Sequence, residues 1–384
     1  MLSIPKQTIM KAKLIVLFYY LIFLRTSVYS QESIADNLKI LIKDTVTARK
    51  AINGDFDNLA VEIALTKRYT PIKTGNYPIK VALDPGHIAR NKKESIIEQR
   101  YISAKEGFFY ESELTMATAK HLKKLLTEKG FEVMITREQG ETALGTSYSY
   151  WFRKRFKKEL LEDLKNGTIS AEKYQSLNTA SKEAVFHQYF KDKDFLARIN
   201  KINAFSPDIA IMIHYNASEF ENSPDRFAPA VDYNYSVVFV PGSFTNSELT
   251  SQSQMDDFVR LASTNTISKS VQLSRYIVGE FNNKLNAKQL MPSDQPDLWY
   301  LKKYSTFTGV PGVYGRNLYL TRAPKCPTTY AECFLQNNRD ELVNLAKRDI
   351  KINGKWISSR VIDVADCYYI GIIKYFNENG WHVK

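Results

Sequence analysis

A strand, a helix and a second strand follow one another in residues 77–137, and no other feature of the sequence constrains the fold as strongly. The run YPIKVALDPGH predicts a buried strand that ends in a loop, and ESELTMATAKHLKKLLTEKG predicts an amphipathic helix that stops at Gly130. FEVMITR is typical of the next strand. Two strands joined in this way lie parallel in one sheet. We therefore predict an α/β fold of three layers, with helices on both faces of a mostly parallel central sheet and with helical insertions.

The rest of the chain continues the alternation of strands and helices after one interruption. Residues 138–192 are charged and tyrosine-rich, favour helix and have no strand pattern. Beyond them, the patterns predict helices in DFLARINKINAF, SVQLSRYIVGEFNNKLN and residues 358–380, and strands in PDIAIMIHYNAS, YSVVFVPG, NLYLTR and TTYAECFL.

The amino terminus has the pattern of a secretory signal peptide. Lys11 and Lys13 precede the apolar run LIVLFYYLIFL, which is short against the roughly 20 residues that span a bilayer. We predict a signal peptide in residues 1–30, an N-terminal helical extension in 31–75 and one domain in 76–384, with insertions at about 138–192 and 219–310. Export to the periplasm, the cell envelope or the medium is expected, with no membrane span left after cleavage.

Charge and cysteine content limit the partners and the means of stabilisation. Removal of residues 1–30 takes away four basic residues and no acid, so the formal net charge falls from +12 to +8. An exported basic protein suits an anionic envelope polymer better than nucleic acid, so no nucleic-acid partner is expected. Cys326, Cys333 and Cys367 allow at most one disulfide, and whether Cys326 and Cys333 pair is left open.

Two histidines and one carboxylate are candidates for a metal site. His87 and His214 each end a run of strand formers, so both are expected at the same edge of a parallel sheet. Glu111 and Glu113 lie in or beside the first turn of the helix after His87, although acids favour that position for electrostatic reasons alone. Two histidines, one carboxylate and an open fourth position form the ligand set of a catalytic zinc site. The residues leave the choice between Glu111 and Glu113 open.

Glu332 is the candidate general base. It lies in the apolar strand TTYAECFLQN, where an unpaired carboxylate is costly to bury unless it has a chemical role. The alternative interpretation is a salt bridge from Glu332 to Arg316 or Arg322.

Taken together, these motifs resemble the zinc-dependent N-acetylmuramoyl-L-alanine amidases of the cell-division and sporulation type. The family's first motif matches Asp84 to His87, and its glutamate ligand matches Glu111. The third motif, a helix with arginine and asparagine followed by a histidine-x-asparagine strand end, matches Arg198, Asn203, His214 and Asn216, and the last motif matches AECFLQN. The resemblance covers residues 77–384 in order.

The resemblance implies hydrolysis of the amide between N-acetylmuramic acid and L-alanine in peptidoglycan, for wall remodelling or daughter-cell separation. It implies Zn²⁺ held by His87, Glu111 and His214, with Glu332 catalytic. Asn216 and Arg316, and with them Tyr215, are weaker candidates for substrate contacts. The gap of 24 residues from His87 to Glu111 is longer than usual, which keeps Glu113 and Glu106 as substitutes. One residue fewer than usual separates Glu332 from Phe334, which predicts a local bulge in this strand.

Other functions remain open at this level. A zinc peptidase that cuts stem or cross-link peptides would use the same ligand set, and an inactive wall-binding or scaffold protein would not need the metal. In related amidases a helix covers the zinc until a partner removes it. The insertion at 138–192 is therefore interpreted as an inhibitory segment released by a protein activator, or as a solvated elaboration that shapes the groove.

Overall fold

The computed structural model describes residues 40–41 and 78–381, except 139, 219–229, 263, 295–297 and 353. The predicted signal peptide lies outside these residues, and so does the predicted N-terminal extension apart from two helical residues, Ile40 and Leu41. Both assignments stay predictions. Within the described part of the chain, no helix combines the length and the apolar character that a membrane crossing needs.

In the part of the chain that the structure describes, twelve strands form one large sheet and two small hairpins. In chain order they are β1 (Lys80–Pro85), β2 (Tyr101–Ala104), β3 (Gly107–Tyr110), β4 (Glu132–Ile135), β5 (Ile209–Asn216), β6 (Tyr235–Pro241), β7 (Lys288–Gln289), β8 (Ser305–Phe307), β9 (Val313–Arg316), β10 (Thr328–Leu335), β11 (Ile350–Ile352) and β12 (Lys355–Ile357).

Fourteen α-helices within the same described residues accompany these strands. They are α1 (Lys92–Glu98), α2 (Glu111–Glu128), α3 (Tyr148–Lys154), α4 (Phe156–Lys165), α5 (Ala171–Asn178), α6 (Lys182–Val185), α7 (Lys191–Phe205), α8 (Asn246–Leu249), α9 (Gln252–Ala262), α10 (Thr266–Leu285), α11 (Trp299–Tyr304), α12 (Tyr319–Arg322), α13 (Arg339–Ala346) and α14 (Arg360–Glu378), with a π-helix at Phe186–Phe190 between α6 and α7.

The large sheet has the strand order β4, β1, β5, β10, β6, β9 and β8, with β7 paired to the side of β6. The first four strands are mutually parallel, as the strand–helix–strand pattern predicts. The strand β6 runs antiparallel to β10, and β9 runs parallel to β6. Because β1, β5 and β10 end at the same edge, the residues that follow β1 and those at the ends of β5 and β10 are brought together there.

Alternate side chains of the central strands pack into two different helical layers. Val81 and Leu83 of β1 belong to a cluster with α2, α10 and α14, whereas Ala82 and Met212 pack with α7 and α12 on the opposite face. Strands buried on both faces read as continuous apolar runs, which is the pattern of β1 and β5 in the sequence. The predicted three-layer α/β fold is confirmed.

Residues 140–205 form a helical segment whose last helix, α7, packs against β1 and β5. Its core is a group of aromatic rings that includes Tyr148, Trp151 and Phe190. Two side chains from outside the segment, Ile88 and Ile97, complete this core, and both belong to the chain that follows His87. The helical segment is therefore attached directly to the loop that carries the first candidate ligand.

One element of the second half differs from the sequence interpretation. The prediction of a strand in NLYLTR is wrong, because residues 319–322 are the helix α12, whose first turn closes on the carbonyl of Leu318. The alternating leucines that suggested a strand pack into different clusters, Leu318 with the β6–β9 side and Leu320 beneath β5. The range 219–310 contains β6 and α10, which are parts of the sheet and of its helical layer.

All three cysteines are free thiols in the interior. Cys333 and Cys367 lie in the main core and Cys326 lies beneath the opposite face, where burial raises the pKa of each thiol. The protein is thus held together by its apolar core.

Candidate metal centre and active site

The Asp-Pro-Gly-His loop turns sharply at the end of β1. The amide of Gly86 donates to the carbonyl of Ile213 on β5 at 2.9 Å, which extends the parallel ladder by one residue. His87 then adopts φ of 60°, a left-handed conformation that is uncommon for residues other than glycine. This turn brings the His87 ring towards β5, so that its centroid lies 5.1 Å from that of His214 in an edge-to-face arrangement.

Glu111 joins the two histidines. It is the first residue of α2 and is buried, with Oε2 at 2.9 Å from His87 Nε2. Its Oε1 accepts hydrogen bonds from His214 Nδ1 at 3.0 Å and from the amide of Tyr215 at 3.1 Å. The substitutes lie elsewhere: Glu113 pairs with Arg348, and Glu106 is 3.7 Å from Lys105. The structure therefore brings Glu111, and neither substitute, to the histidines.

The three side chains fit a divalent metal ion. One ligand atom from each of His87, Glu111 and His214 can be chosen so that all three lie within 4.8 Å of one another. The Nε2 atom of His214 is buried and has no hydrogen-bond partner among the described residues, which is unusual for a polar atom unless a ligand completes it. Two imidazoles and a carboxylate also match the donor set of catalytic zinc sites.

In the protein without metal, burial and the charges of the neighbouring groups shift the pKa values of His87, Glu111 and His214. Burial alone lowers the pKa of His87, but the carboxylates of Glu111 and Glu98 outweigh it and raise the pKa to about 9. For Glu111 burial is likewise outweighed, and the neighbouring histidines hold its pKa well below the usual range. Burial keeps the pKa of His214 below its ordinary value despite the bond to Glu111. A cation at this centre would replace the proton that His87 otherwise holds.

Glu332 faces the cluster from the neighbouring strand. It lies on β10 directly opposite His214 of β5, and the register shifts between Glu332 and Leu335, which confirms the predicted bulge. Its Oε2 is buried and, within the part of the chain that the structure describes, has no hydrogen-bond partner. Burial, reinforced by the charge of Glu111, raises the pKa of Glu332 to about 8. The proposed alternative partner Arg322 instead lies 3.3 Å from Asp257.

A cavity of about 410 Å³ opens over the cluster and contains most of the other candidate residues. Asn216 and Arg316 line it, and the Arg316 guanidinium lies 5.1 Å from the centre of the Phe239 ring. The backbone of Tyr215 is at the cavity, but its hydroxyl is buried in the core at 2.6 Å from Thr118 Oγ1. The Tyr215 side chain therefore has a structural position.

Comparison with known proteins agrees with this geometry. The model of a protein family described as N-acetylmuramoyl-L-alanine amidase matches residues 81–357, which is more than half of the chain. The chain belongs to this family. The family prediction and the enzyme prediction are thereby confirmed, and peptidoglycan fits the amidase as its substrate. No curated protein matches the chain.

Several solved amidase structures are similar to parts of the amidase described here. The CwlD amidase from Clostridioides difficile, in complex with the GerS lipoprotein, is 17% identical, with 78% of this chain and 99% of that chain covered and a TM-score of 0.42. The amidase Ami1 from Mycobacterium smegmatis is 14% identical, with 78% and 97% covered and a TM-score of 0.41. AmiC2 of Nostoc punctiforme is 12% identical, with 79% and 99% covered and a TM-score of 0.40.

Two buried arginines hold the ligand loop of the amidase. Arg198, which the motif comparison identified without a role, donates to Asp84, to the carbonyl of Pro85 and to the carbonyl of His87. Arg137, the arginine of the VMITR strand, donates to the carbonyls of Pro85 and Gly86. Charged donors to three successive carbonyls fix the loop in its unusual conformation.

Sequence reasoning missed two residues at the centre itself. The Tyr330 ring stacks on His214 with centroids 4.1 Å apart and planes at 14°. Glu98, the last residue of α1, accepts from His87 Nδ1 at 3.0 Å. Tyr330 had a detectable signal, since it lies two residues before Glu332 and so on the same face of the strand. Nothing in the run KKESIIE distinguishes Glu98 from its neighbours.

Proposed function

We propose that this amidase is an exported, zinc-dependent hydrolase that cleaves the amide between N-acetylmuramic acid and L-alanine in peptidoglycan during wall remodelling or daughter-cell separation. The observation that carries the proposal is the convergence of His87, Glu111 and His214 opposite Glu332, whose Oε2 has no hydrogen-bond partner among the described residues, in a chain of the amidase family. The basic charge and the predicted signal peptide support a place in the cell envelope.

In this proposal the histidines and Glu111 bind the metal, and Glu332 moves the proton. A bound Zn²⁺ would polarise the amide carbonyl and lower the pKa of water at the site. Glu332 then accepts the proton of the attacking water and delivers it to the departing nitrogen of L-alanine, so that the amide C–N bond breaks and a carboxylate and an amine form. Burial and the charge of Glu111 raise the pKa of Glu332 in the protein without metal, and a nearby cation would lower that pKa and favour the carboxylate that accepts the proton.

Cavity residues would orient the substrate. Asn216 and Arg316 lie on the cavity wall beside Glu332, where an amide and a guanidinium suit the carbonyl and carboxylate oxygens of a peptidoglycan stem. Tyr330 limits the rotation of His214 by stacking on it. The stacking covers a face of the imidazole and leaves free the Nε2 lone pair, which lies in the ring plane and is the atom that would bind the metal.

The activity test is direct. Protein comprising residues 31–384 is incubated with purified sacculi, with and without chelator, and the released ends are identified by mass spectrometry. A new L-alanine amino terminus that disappears with chelator supports the proposal. Cleavage within the stem or cross-link peptide would identify a peptidase, and equal activity after verified removal of metal would contradict zinc dependence.

Substitutions separate the roles of the carboxylates. Glu332→Gln should keep its zinc but lose turnover by about 10²–10⁴-fold, because the proton acceptor is removed while the ligands stay. Glu111→Gln should lose zinc as well. The matched control is Glu113→Gln, in the same turn of α2 but paired with Arg348, which should keep both zinc and turnover. Loss of zinc from Glu332→Gln would make Glu332 a ligand and contradict its assigned role.

Regulation by a protein activator is a further part of the proposal. The described residues that line the 410 Å³ cavity include none from 138–192. A second cavity of about 250 Å³, on the other side of His87, is lined in part by Phe186, His187 and Phe190 of the helical segment. If the segment inhibits the enzyme until an activator displaces it, the segment would thus act from the side of His87 that faces this second cavity.

A further inference from the structure

We infer that Glu98 is a positioning residue for His87: its carboxylate accepts the Nδ1 proton and so directs Nε2 at the metal position. This inference rests on the proposed function, because it assumes that the cluster of His87, Glu111 and His214 holds a metal. It goes beyond that function because it assigns a role to a residue outside the ligand set and outside the matched motifs.

The first observation is the pair of contacts made by the His87 ring. Its Nδ1 lies 3.0 Å from Glu98 Oε1, and its Nε2 lies 2.9 Å from Glu111 Oε2. A carboxylate can only accept, so the bond to Glu98 requires the proton on Nδ1. The contact of Nε2 with Glu111 likewise places a proton on Nε2 in the protein without metal; a cation would replace that proton, and the lone pair of the ring would then lie on Nε2, on the side of Glu111 and His214. Metal-binding histidines commonly have such an outer carboxylate, which fixes both the tautomer and the ring orientation.

The second observation is that Glu98 is itself firmly held. Its side chain is buried, and its oxygens accept from the amides of Ile88 at 3.1 and 3.2 Å and of Ala89 at 3.0 Å. These amides immediately follow His87 in the chain. One carboxylate therefore fixes the ring and the backbone beyond it, where the left-handed conformation of His87 would otherwise favour rearrangement.

The third observation connects Glu98 to the helical segment of residues 140–205. The side chain of Ile97 is buried in the aromatic core of that segment, and its carbonyl lies 3.0 Å from His187 Nε2. His187 belongs to the π-helix, a conformation that is frequent at functional sites. The segment thus holds the end of α1, and α1 presents Glu98 to His87.

A matched control exists on the same helix. Glu94 is also a buried carboxylate of α1, and it accepts from the amide and side chain of Arg90 and from the hydroxyl of Ser149. It makes these contacts without touching His87 in the described structure. Loss of Glu94 disturbs the same junction between loop and helical segment but leaves the bond to Nδ1.

The test compares zinc affinity, measured by competition with a chromophoric chelator, and the ¹H–¹⁵N signal of His87 Nδ1 in the zinc-loaded protein. Glu98→Ala should weaken zinc binding by about 10–100-fold and remove the downfield Nδ1–H signal. Glu98→Gln keeps an acceptor oxygen and should lose less affinity. Glu94→Ala should retain the wild-type zinc affinity within about threefold and keep the signal. If the role of Glu98 were merely structural, both substitutions would have the same effects.

The possible outcomes separate this inference from the proposed function. Equal zinc affinity in Glu98→Ala and the wild type would overturn it, and so would an equal loss in Glu94→Ala. If Glu98→Ala does not fold, the comparison of Glu98→Gln with Glu94→Gln decides, with a several-fold loss and a shifted Nδ1–H signal expected in the first alone. A wild-type protein that binds no zinc would overturn the proposed function and this inference together.

Discussion

Gly86, the residue before His87, must be a glycine for a steric reason. A Cβ atom built on Gly86 would lie 2.3–2.6 Å from three atoms of the His214 ring, which is closer than such atoms ever approach. The glycine thus allows the two strand ends to bring their imidazoles together. At this scale the arrangement depends on the absence of one methyl group.

Gly86→Ala should therefore displace His214 and weaken metal binding. We expect at least a tenfold loss of zinc affinity and a comparable loss of amidase activity, because one ligand leaves its position. Metal content after dialysis against a zinc buffer measures the first effect. The control is Gly279→Ala in α10, where an added Cβ meets no atom within 4 Å and should stabilise the helix by about 1 kcal/mol. Unchanged zinc affinity in Gly86→Ala would show that the loop adapts.

The positions of three site residues could be predicted from strand ends and from the cost of burying a charge. His87 and His214 could be placed at one edge of the sheet because each ends an apolar run, and Glu332 was conspicuous as an acid in an apolar strand. Glu98 could not be found in this way. Its role depends on the turn that carries α1 back onto His87, and such turns leave no periodic signal in the sequence.

At the level of elements, the helical segment of residues 140–205 packs against the chain that follows His87. Its aromatic core includes Ile88 and Ile97, which lie near the two ends of the stretch 88–98 that follows His87. Loosening the segment should therefore disturb the ligand loop. An inhibitory segment would have the opposite effect, since its loosening would expose the site and increase turnover.

Trp151→Ala separates these two interpretations. Trp151 is fully buried at the centre of the aromatic core, so the substitution should lower the free energy of unfolding of the segment by about 3–5 kcal/mol. We expect lower amidase activity and weaker zinc binding. Leu161→Ala, at an exposed position of α4, is the control and should change neither. Increased activity in Trp151→Ala, or in a protein lacking residues 140–190, would favour inhibition.

The elements themselves were predictable where local pattern and tertiary packing agree. The unit of β1, α2 and β4 follows from hydrophobic periodicity and a glycine stop, and Gly130 indeed has a left-handed φ of 84°. The direction of β6 could not be predicted, because an antiparallel strand buried on both faces has the same composition as a parallel one. The helix α12 could not be predicted, because Leu318 and Leu320 are two residues apart, as apolar residues on one face of a strand are.

For the whole molecule, the buried site makes the stability of the metal-free protein depend on pH. His87 and Glu332 both have a raised pKa in the folded state, His87 from 6.5 to about 9 and Glu332 from 4.5 to about 8. From pH 6.5 to about 9, the folded protein thus binds more protons at these two groups than the unfolded chain does. Stability falls as pH rises in that range. The lowered pKa values of His214 and Glu111 act in the opposite direction only below about pH 6.5.

Chelator-treated protein should consequently become less stable between pH 6.5 and 9, on the order of a few kcal/mol. Urea unfolding at pH 6.5, 7.5 and 9 measures the change. Glu332→Gln should reduce the slope below pH 8, because its side chain no longer titrates. Added zinc should offset the loss most strongly at alkaline pH, since metal ligation requires deprotonated groups. A stability that rises over this range would contradict the assigned protonation states.

The two helical residues near the amino terminus have a practical consequence for any shortened form of the enzyme. The carbonyls of Ile40 and Leu41 accept hydrogen bonds from Ser243 and Phe244, and the carbonyl of Ile40 occupies space that side chains at Gly242 and Gly315 would fill. Leu41 is completely enclosed by rings and branched side chains of α8 to α10. A protein begun at residue 76 would lack a piece of its own interior, and recombinant production should start upstream of Ile40.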